Sequence, residues 1–244
     1  MDFQQQPHPV YAIIPAAGTG SRMQGEKNKQ FLQIGRYPVI IRTLRVFAAH
    51  PRIDGFVVTA AQQEVADMQE LIRLHGIGKC LGVVAGGATR QASVANGLLA
   101  LAASAVNVKA SMVLVHDGAR CFLTPEIIGR VIDGIALRGA CGAAVQVKDT
   151  IKLAGPDGRV LSTPERDRLW AMQTPQGSWF ETIYDAYQRA TAENWQTTDD
   201  LSVLEQAGLS VWLTPGDYRN IKLTTPEDRL LAEQLAILAD QYLL

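Results

Sequence analysis

VYAIIPAAGTGSRMQGEKNKQ, residues 10–30, joins an apolar run to a glycine-rich, basic loop. Val10, Ile13 and Ile14 make a short strand and Pro15 breaks it. Gly18 and Gly20 then strip side chains from the turn, and Arg22, Lys27 and Lys29 supply positive charge. Glycines let backbone N–H groups converge on an anion, and a following helix start adds partial positive charge. Such a loop suits phosphate. Two familiar schemes fail on the residues. A Walker loop needs Gly-Lys-Ser/Thr where Gly20 is followed by Ser21-Arg22, and a dinucleotide fingerprint needs a third glycine where Met23 stands. Two readings remain: a triphosphate site of another kind, or an ordinary strand-to-turn connection in an α/β domain.

Outward from the loop, apolar strands and amphipathic helices alternate. Pro38 to Ala49 puts Val39, Ile40, Leu44 and Phe47 on one helical face, Gly55 to Ala60 reads as a buried strand, and Gln63 to His75 as a helix. Leu81 to Ala85 is a strand ending in Gly86-Gly87, and Ala88 to Leu101 a helix with Arg90 and Ser93 in its first turn. Met112 to Asp117 is the strongest strand; Thr124-Pro125-Glu126 starts the next helix, with Thr124 as its cap, and Gly142 to Val145 follows as a strand. The pattern predicts an α/β fold, a mostly parallel sheet with helices on both faces, in which ligands bind beyond the carboxyl ends of the strands. The opening loop, Gly86 to Ser93, and Asp117 to Arg120 fall there together.

The alternation breaks at Val147 to Glu165, where Gly155-Pro156-Asp157-Gly158 is turn chemistry between residues of β preference. This predicts a protruding β-hairpin arm at about residues 146–168, with Thr150 and Lys152 on one face of its first strand. A lone hairpin is marginal in water, so the arm is expected to reach a second copy and form a homodimer. Ser178 to Ala192 reads as a helix, Thr198-Asp199-Asp200 as a helix start, Val211 to Thr214 as the last strand, and Thr225-Pro226-Glu227-Asp228 as the cap of the closing helix.

The 244 residues, with 47% hydrophobic and 19% charged side chains, suit one domain, residues 1–244. A formal net charge of −1 argues against general nucleic-acid binding, so phosphate chemistry must rest on clustered basic residues. Cys80, Cys121 and Cys141 are isolated, without metal or disulfide spacing. No leader pattern or membrane-length apolar run is present, and a cytoplasmic protein with no membrane partner is expected.

PAAGTGSRM with Lys29-Gln30, GGATRQASVANGL, VHDGAR, KDTIK, TPQ and NIKLTTPED occur in that order along nearly the whole chain. The ordered set resembles the 2-C-methyl-D-erythritol 4-phosphate cytidylyltransferase family. The resemblance implies a Rossmann-like nucleotidyltransferase sheet and a reaction in which the phosphate of a small polyol attacks the α-phosphorus of CTP and pyrophosphate leaves. Such chemistry needs positioning and charge neutralisation more than covalent help. The resemblance assigns catalysis to Arg22, Lys29, Arg166 and Lys222. It places CTP on Ala16, Ala17, Gly18, Gly20, Gly87, Ser93 and Gly118, with cytosine near Ala16, Gly87 and Ser93 and the ribose near Gly118. The acceptor is expected on Asp117, Arg120, Thr150, Arg166, Thr198 and Lys222, and Mg2+, or another divalent cation, on Asp117 and chiefly on the triphosphate. Because Arg166 follows the arm, the acceptor site is expected to be shared between subunits.

Three residues depart from the family pattern: Asn28 for a proline before Lys29, Cys121 for a proline after Arg120, and Ala88 for an acidic residue near the base. A monofunctional enzyme is expected, since nothing follows Leu244 for a fused second one. The same-class alternative acts on a pentitol phosphate such as ribitol 5-phosphate. A nicotinamide-dependent oxidoreductase is disfavoured by Met23, and a non-catalytic nucleotide-binding regulator by the retention of Arg22, Lys29, Arg166 and Lys222 together.

Overall fold

The computed structural model describes residues 8–18, 28–103 and 108–241. Gly20, Arg22, Met23 and Lys27 of the opening loop lie outside the described residues.

Apolar strands take the centre because their side chains lose contact with water on both faces. β1 (Val10–Pro15), β4 (Gly55–Ala60) and β6 (Met112–Val115) are buried throughout. β1 is parallel to β4 on one side and to β6 on the other, and β4 is parallel to β5 (Cys80–Ala85). Among the described residues one sheet has seven strands in the order β11-β7-β10-β6-β1-β4-β5, with β7 at Ala140–Gln146, β10 at Trp170–Trp179 and β11 at Trp212–Pro215. The expectation of a mostly parallel sheet is met: β10 alone among these seven runs antiparallel to its neighbours β6 and β7.

Successive residues of β1 enter different cores, as the pleat requires. Val10, Ala12 and Ile14 join α1 (Val39–Ala49), α2 (Val65–Leu74) and α4 (Pro125–Arg138) on one face. Tyr11 and Ile13 join α3 (Arg90–Ala102), α5 (Phe180–Ala192) and α6 (Asp200–Gln206) on the other. Each fully buried Ile or Val contributes about 1.5–3 kcal/mol relative to exposure, so the two cores fix which face each helix covers. A third apolar cluster packs α7 (Pro226–Gln241) beside Ile34, Val39 and Phe122; Ile34 lies in the short pair β2 (Gln33–Ile34) and β3 (Tyr37–Pro38).

Several expectations need correction. β10 reads as no strand in sequence, because Gln173, Thr174, Gln176 and Ser178 interrupt any apolar pattern and Pro175 and Gly177 mimic a loop. All four polar side chains are buried and bonded: Gln173 to the Asp217 carbonyl, Thr174 to His116, Gln176 to Asp199, and Ser178 to the Gly139 carbonyl. Ser178 is therefore a strand residue and α5 starts two residues later. Thr124 holds the N-cap position of α4, but its side chain does not cap the backbone N–H groups of the first turn and meets the Glu126 carboxylate instead. The arm pairs over a shorter length than its sequence suggests, with β8 (Leu153–Ala154) against β9 (Val160–Ser162). Thr150 and Lys152 precede β8 rather than sharing a face of it; Lys152 Nζ instead donates to Thr163 Oγ1 at 2.8 Å. The helix starts at α6 and α7 agree with the sequence. Asp199 and Ser202 form a reciprocal capping box, and Asp228 Oδ2 accepts from the Thr224 and Thr225 N–H groups.

Candidate active site

Because β1, β4, β5 and β6 are parallel, their carboxyl ends share one edge of the sheet. The chain turns from β5 at one flank to β6 at the other side of β1, so a crevice opens beside β1, the usual ligand position in such sheets. A cavity of about 520 Å³ lies there. Ala17, Gly18, Lys29, Gly87, Ser93, Asp117 and Lys222, all singled out from sequence, line it together with Gln30 and Arg90. Ala16 and Gly118 sit one residue behind this wall, and both hold the loops in place: Ala16 N–H donates to the Thr59 carbonyl at 2.7 Å and Gly118 N–H to the Pro15 carbonyl at 3.1 Å.

The β5 side of the cavity is a turn closed by Ser93. Its hydroxyl accepts from Gly87 N–H at 3.0 Å and donates to the Thr89 carbonyl at 2.9 Å, while Thr89 caps α3 through Ala92 N–H. A Cβ on Gly86 would meet Ala17 Cβ at 2.5 Å and Ser93 Oγ at 2.8 Å, so only glycine lets the first loop and the α3 turn meet. Ala88 is exposed at this turn and presents no polar side chain.

Lys29 stands on a single 3-10 turn, Lys29–Phe31. Asn28 caps that turn by accepting from Gln30 N–H at 3.3 Å, and its amide donates to Glu64 at 2.8 Å. Hydrogen bonds thus support the turn where a proline ring would otherwise set it. Lys29 Nζ donates to the Leu223 carbonyl at 3.0 Å, which joins the opening segment to the loop carrying Lys222.

Asp117 is the electrostatic centre. Arg90 Nε donates to its Oδ1 at 2.8 Å, Lys222 Nζ pairs with Oδ2 at 2.9 Å, and Arg120 Nε lies 3.6 Å from Oδ2. Burial disfavours the ionised carboxylate, but Arg90 and then Lys222 outweigh it and hold the group well below the usual carboxylate range. Arg90 in turn makes a two-pronged contact with the fully buried Asp200, at 2.9 and 2.7 Å, and Tyr187 Oη donates to Asp200 at 2.6 Å. Burial opposes the charge of Arg90; Asp200 and Asp117 more than compensate and raise its pKa further. Among the described residues Lys29, Arg90 and Lys222 line the cavity with Asp117, an excess of basic side chains that suits a polyanion.

The backbone of the Asp117 turn is held by a proton-ordered chain. Asp117 N–H donates to Thr174 Oγ1 at 3.1 Å, and Thr174 Oγ1 lies 3.0 Å from His116 Nδ1. His116 Nε2 lies 3.1 Å from the Arg120 carbonyl, which can only accept, so Nε2 carries the proton and the Thr174 hydroxyl donates to Nδ1. Complete burial pushes the imidazole down to about 4; the Arg120 carbonyl and the Asp117 charge act in the opposite direction. His116 is neutral and structural, not a proton donor to substrate.

The structure does not bring every expected residue to the cavity. Arg120 lies behind Asp117, bonded to the Asn220 carbonyl at 2.8 Å. Thr198 is exposed, its N–H donating to Ser202 Oγ. Thr150 and Arg166 are exposed on or beside the arm, and Arg166 lines a separate cleft with Lys148, Asp167 and Tyr218. Within one chain these two lie apart from Lys29.

Sequence reasoning missed Arg90, Asp200 and Gln30 as cavity or supporting residues. Asp199-Asp200 reads as two N-terminal helix acids, yet only Asp199 caps; Asp200 is fully buried and binds Arg90. The available sign was an Arg at the start of α3 next to an otherwise polar first turn. Asp117 is the one carboxylate among the described residues lining the cavity and both its oxygens already accept from cations, so these residues would leave a magnesium ion chiefly to the oxygens of a bound triphosphate.

The sequence matches the family described as IspD: 2-C-methyl-D-erythritol 4-phosphate cytidylyltransferase over residues 10–239. A relative of that name from Geobacter metallireducens is 43% identical over 225 residues, covering 92% of this chain and 96% of its own. One from Halalkalibacterium halodurans is 44% identical over 229 residues, covering 94% and 96%. Among solved structures, 4-diphosphocytidyl-2C-methyl-D-erythritol synthase from Anaerococcus prevotii superposes with a TM-score of 0.81 at 29% identity, covering 94% of this chain and 99% of that one. The Francisella tularensis 2-C-methyl-D-erythritol 4-phosphate cytidylyltransferase gives 0.76 at 28% identity, covering 93% and 99%. With a match across almost its full length and a cavity at the carboxyl edge of a like sheet, the chain belongs to the 2-C-methyl-D-erythritol 4-phosphate cytidylyltransferase family.

Proposed function

We propose that this chain transfers CMP from CTP to 2-C-methyl-D-erythritol 4-phosphate, giving 4-diphosphocytidyl-2-C-methyl-D-erythritol and pyrophosphate, a step of isoprenoid precursor synthesis by the non-mevalonate route. The observation that carries it is the gathering of Gly18, Lys29, Gly87, Ser93, Asp117 and Lys222 around one cavity, from segments spread over two hundred residues of chain. An oxygen of the acceptor phosphate forms a bond to the α-phosphorus. The bond from that phosphorus to the bridging oxygen breaks, and pyrophosphate leaves with its electron pair.

Lys29, with Arg22 from the segment preceding it, neutralises charge on the reacting phosphoryl group; a donor of this kind is worth about 10²–10³ in turnover. Gly87 and Ser93 read cytosine. Asp117 holds Lys222 and Arg90 in place and receives acceptor hydroxyls, with Lys222 supporting the acceptor phosphate. A magnesium ion, when bound, would be held chiefly by the triphosphate and would offset part of its charge, with no protein cage of its own.

The chain acts as one nucleotidyltransferase domain in a homodimer. The arm exposes Ile151, Leu153, Val160 and Leu161, an apolar surface that a second copy would cover, and would carry Thr150 and Arg166 to the partner's acceptor site. We assign the protein to the cytoplasm, where CTP and small phosphorylated polyols would meet it. No helix among the described residues is long and apolar enough to cross a membrane. The test is pyrophosphate release with a panel of nucleoside triphosphates and polyol phosphates. Turnover confined to CTP and methylerythritol phosphate supports the assignment; a requirement for UTP, or for ribitol 5-phosphate as acceptor, refutes it.

A further inference from the structure

Gln30 is the buried polar group of the cavity for which the fold supplies no answer. Gln30 is one of the residues around the cavity and only 2% of it is exposed, and among the described residues its Oε1, itself shut off from solvent, finds no hydrogen-bond donor. A buried amide oxygen left without a donor is costly and is rarely tolerated in a native fold. Its backbone is fixed by the Asn28 cap on one side of the 3-10 turn, so the side chain is not a loose surface group. A Cβ placed on Gly118 would lie 3.1 Å from Oε1 and 2.9 Å from Ile40 Cδ1, so the glycine leaves the amide room against the β6 edge.

We infer that Gln30 recognises a ribose hydroxyl of the bound nucleotide, an inference that rests on the CTP reading above. A carbonyl oxygen repels phosphate oxygens and requires a proton donor. CTP offers two kinds, the cytosine amine and the sugar hydroxyls. Ser93 and Gly87 form the β5 side of the cavity and are assigned to the base, whereas Gln30 lies beside Lys29 and Gly118 on the β6 side. The sugar lies between base and triphosphate, and its hydroxyls are the donors within reach of a group placed next to Lys29. Gln30 is thereby a specificity residue that discriminates ribo- from deoxyribonucleotides.

The test measures kcat/KM for CTP, 2′-deoxy-CTP and 3′-deoxy-CTP with the wild-type chain and with Gln30→Met, which keeps length and removes the amide. The wild type is expected to prefer CTP over one deoxy analogue by about tenfold or more, the range for leaving a buried acceptor unpaired. Gln30→Met is expected to lose that preference, with kcat/KM for CTP falling towards that for the disfavoured analogue. Displacement of Lys29 by the substitution would lower all three nucleotides alike and leave the ratio intact, which overturns the inference. Equal use of all three by the wild type overturns it without any variant. Failure of the wild type to use CTP while using another triphosphate refutes the functional assignment instead, a separate result.

Discussion

His116 ties the stability of the site to pH in a way that can be worked through. Its imidazole is neutral and fully buried, and its pKa falls from 6.5 to about 4 on folding, chiefly because burial penalises the charged form. Above pH 6.5 neither state binds the proton and the group contributes nothing to the pH dependence. As pH falls below 6.5 the unfolded chain takes up a proton that the folded chain refuses, so stability is lost progressively until the folded pKa is reached. For one such group the loss between about pH 7.5 and pH 5 is roughly 2 kcal/mol. His50 is also lowered by burial and acts in the same direction, so a difference measurement is needed. The carboxylate of Asp117 is held low, and its own contribution is lost only as pH drops below its ordinary 3.8, outside this window. The assay is urea unfolding at several pH values for the wild type and for His116→Gln, with the slope of stability against pH as the readout. The variant is expected to lose about 2 kcal/mol less over that range. NMR of the imidazole nitrogens in the wild type gives an independent check, with a neutral Nε2–H ring expected at about pH 5. Equal slopes in the two proteins, or a charged ring at that pH, would refute the reasoning.

Lys29→Ala should lower turnover by about 10²–10³ while changing stability by only roughly 1 kcal/mol, the scale of its bond to the Leu223 carbonyl. Steady-state kinetics with urea unfolding checks both, and unchanged turnover would remove Lys29 from the chemistry. Asp200→Asn leaves Arg90 without its two-pronged partner in a buried setting; a loss of about 2–3 kcal/mol is expected, at the lower end for broken buried pairs because Arg90 is partly open to the cavity. An unmoved urea midpoint at constant slope would contradict that. Co-assembly of Lys29→Ala chains with Arg166→Ala chains should restore activity that neither homodimer has, because one site of each mixed dimer carries neither substitution; no restoration would place Arg166 and Lys29 in the same subunit's site.

The sheet was legible where burial on both faces leaves an unbroken apolar record, as in IIP of β1, GFVVTA of β4 and MVLV of β6. β10 escaped because its inward side chains are amides and hydroxyls, satisfied by partners such as Asp217 and Asp199 that lie at least 20 residues away in the chain. The site followed the same division. Asp117 follows the end of β6, Ser93 lies in the first turn of α3 after Gly86-Gly87, and Lys29 and Lys222 lie in short polar connections, where local sequence carries the message. Asp200 and Gln30 matter through what surrounds them: one is buried against Arg90, the other left without a donor, and neither condition is written in neighbouring residues. Arg166 and Thr150 were placed by resemblance alone, and within one chain they lie away from the cavity.

The turn beneath Lys29 carries a thermal consequence. Where a proline would restrict the unfolded chain before folding begins, Asn28 leaves it free, so ordering this turn costs about 0.4–1 kcal/mol more in conformational entropy. The bonds from Asn28 to Gln30 N–H and to Glu64 offset that cost with enthalpy. Entropic costs grow with temperature while these bonds do not strengthen, so warming loosens the support of Lys29 before it disturbs the apolar cores.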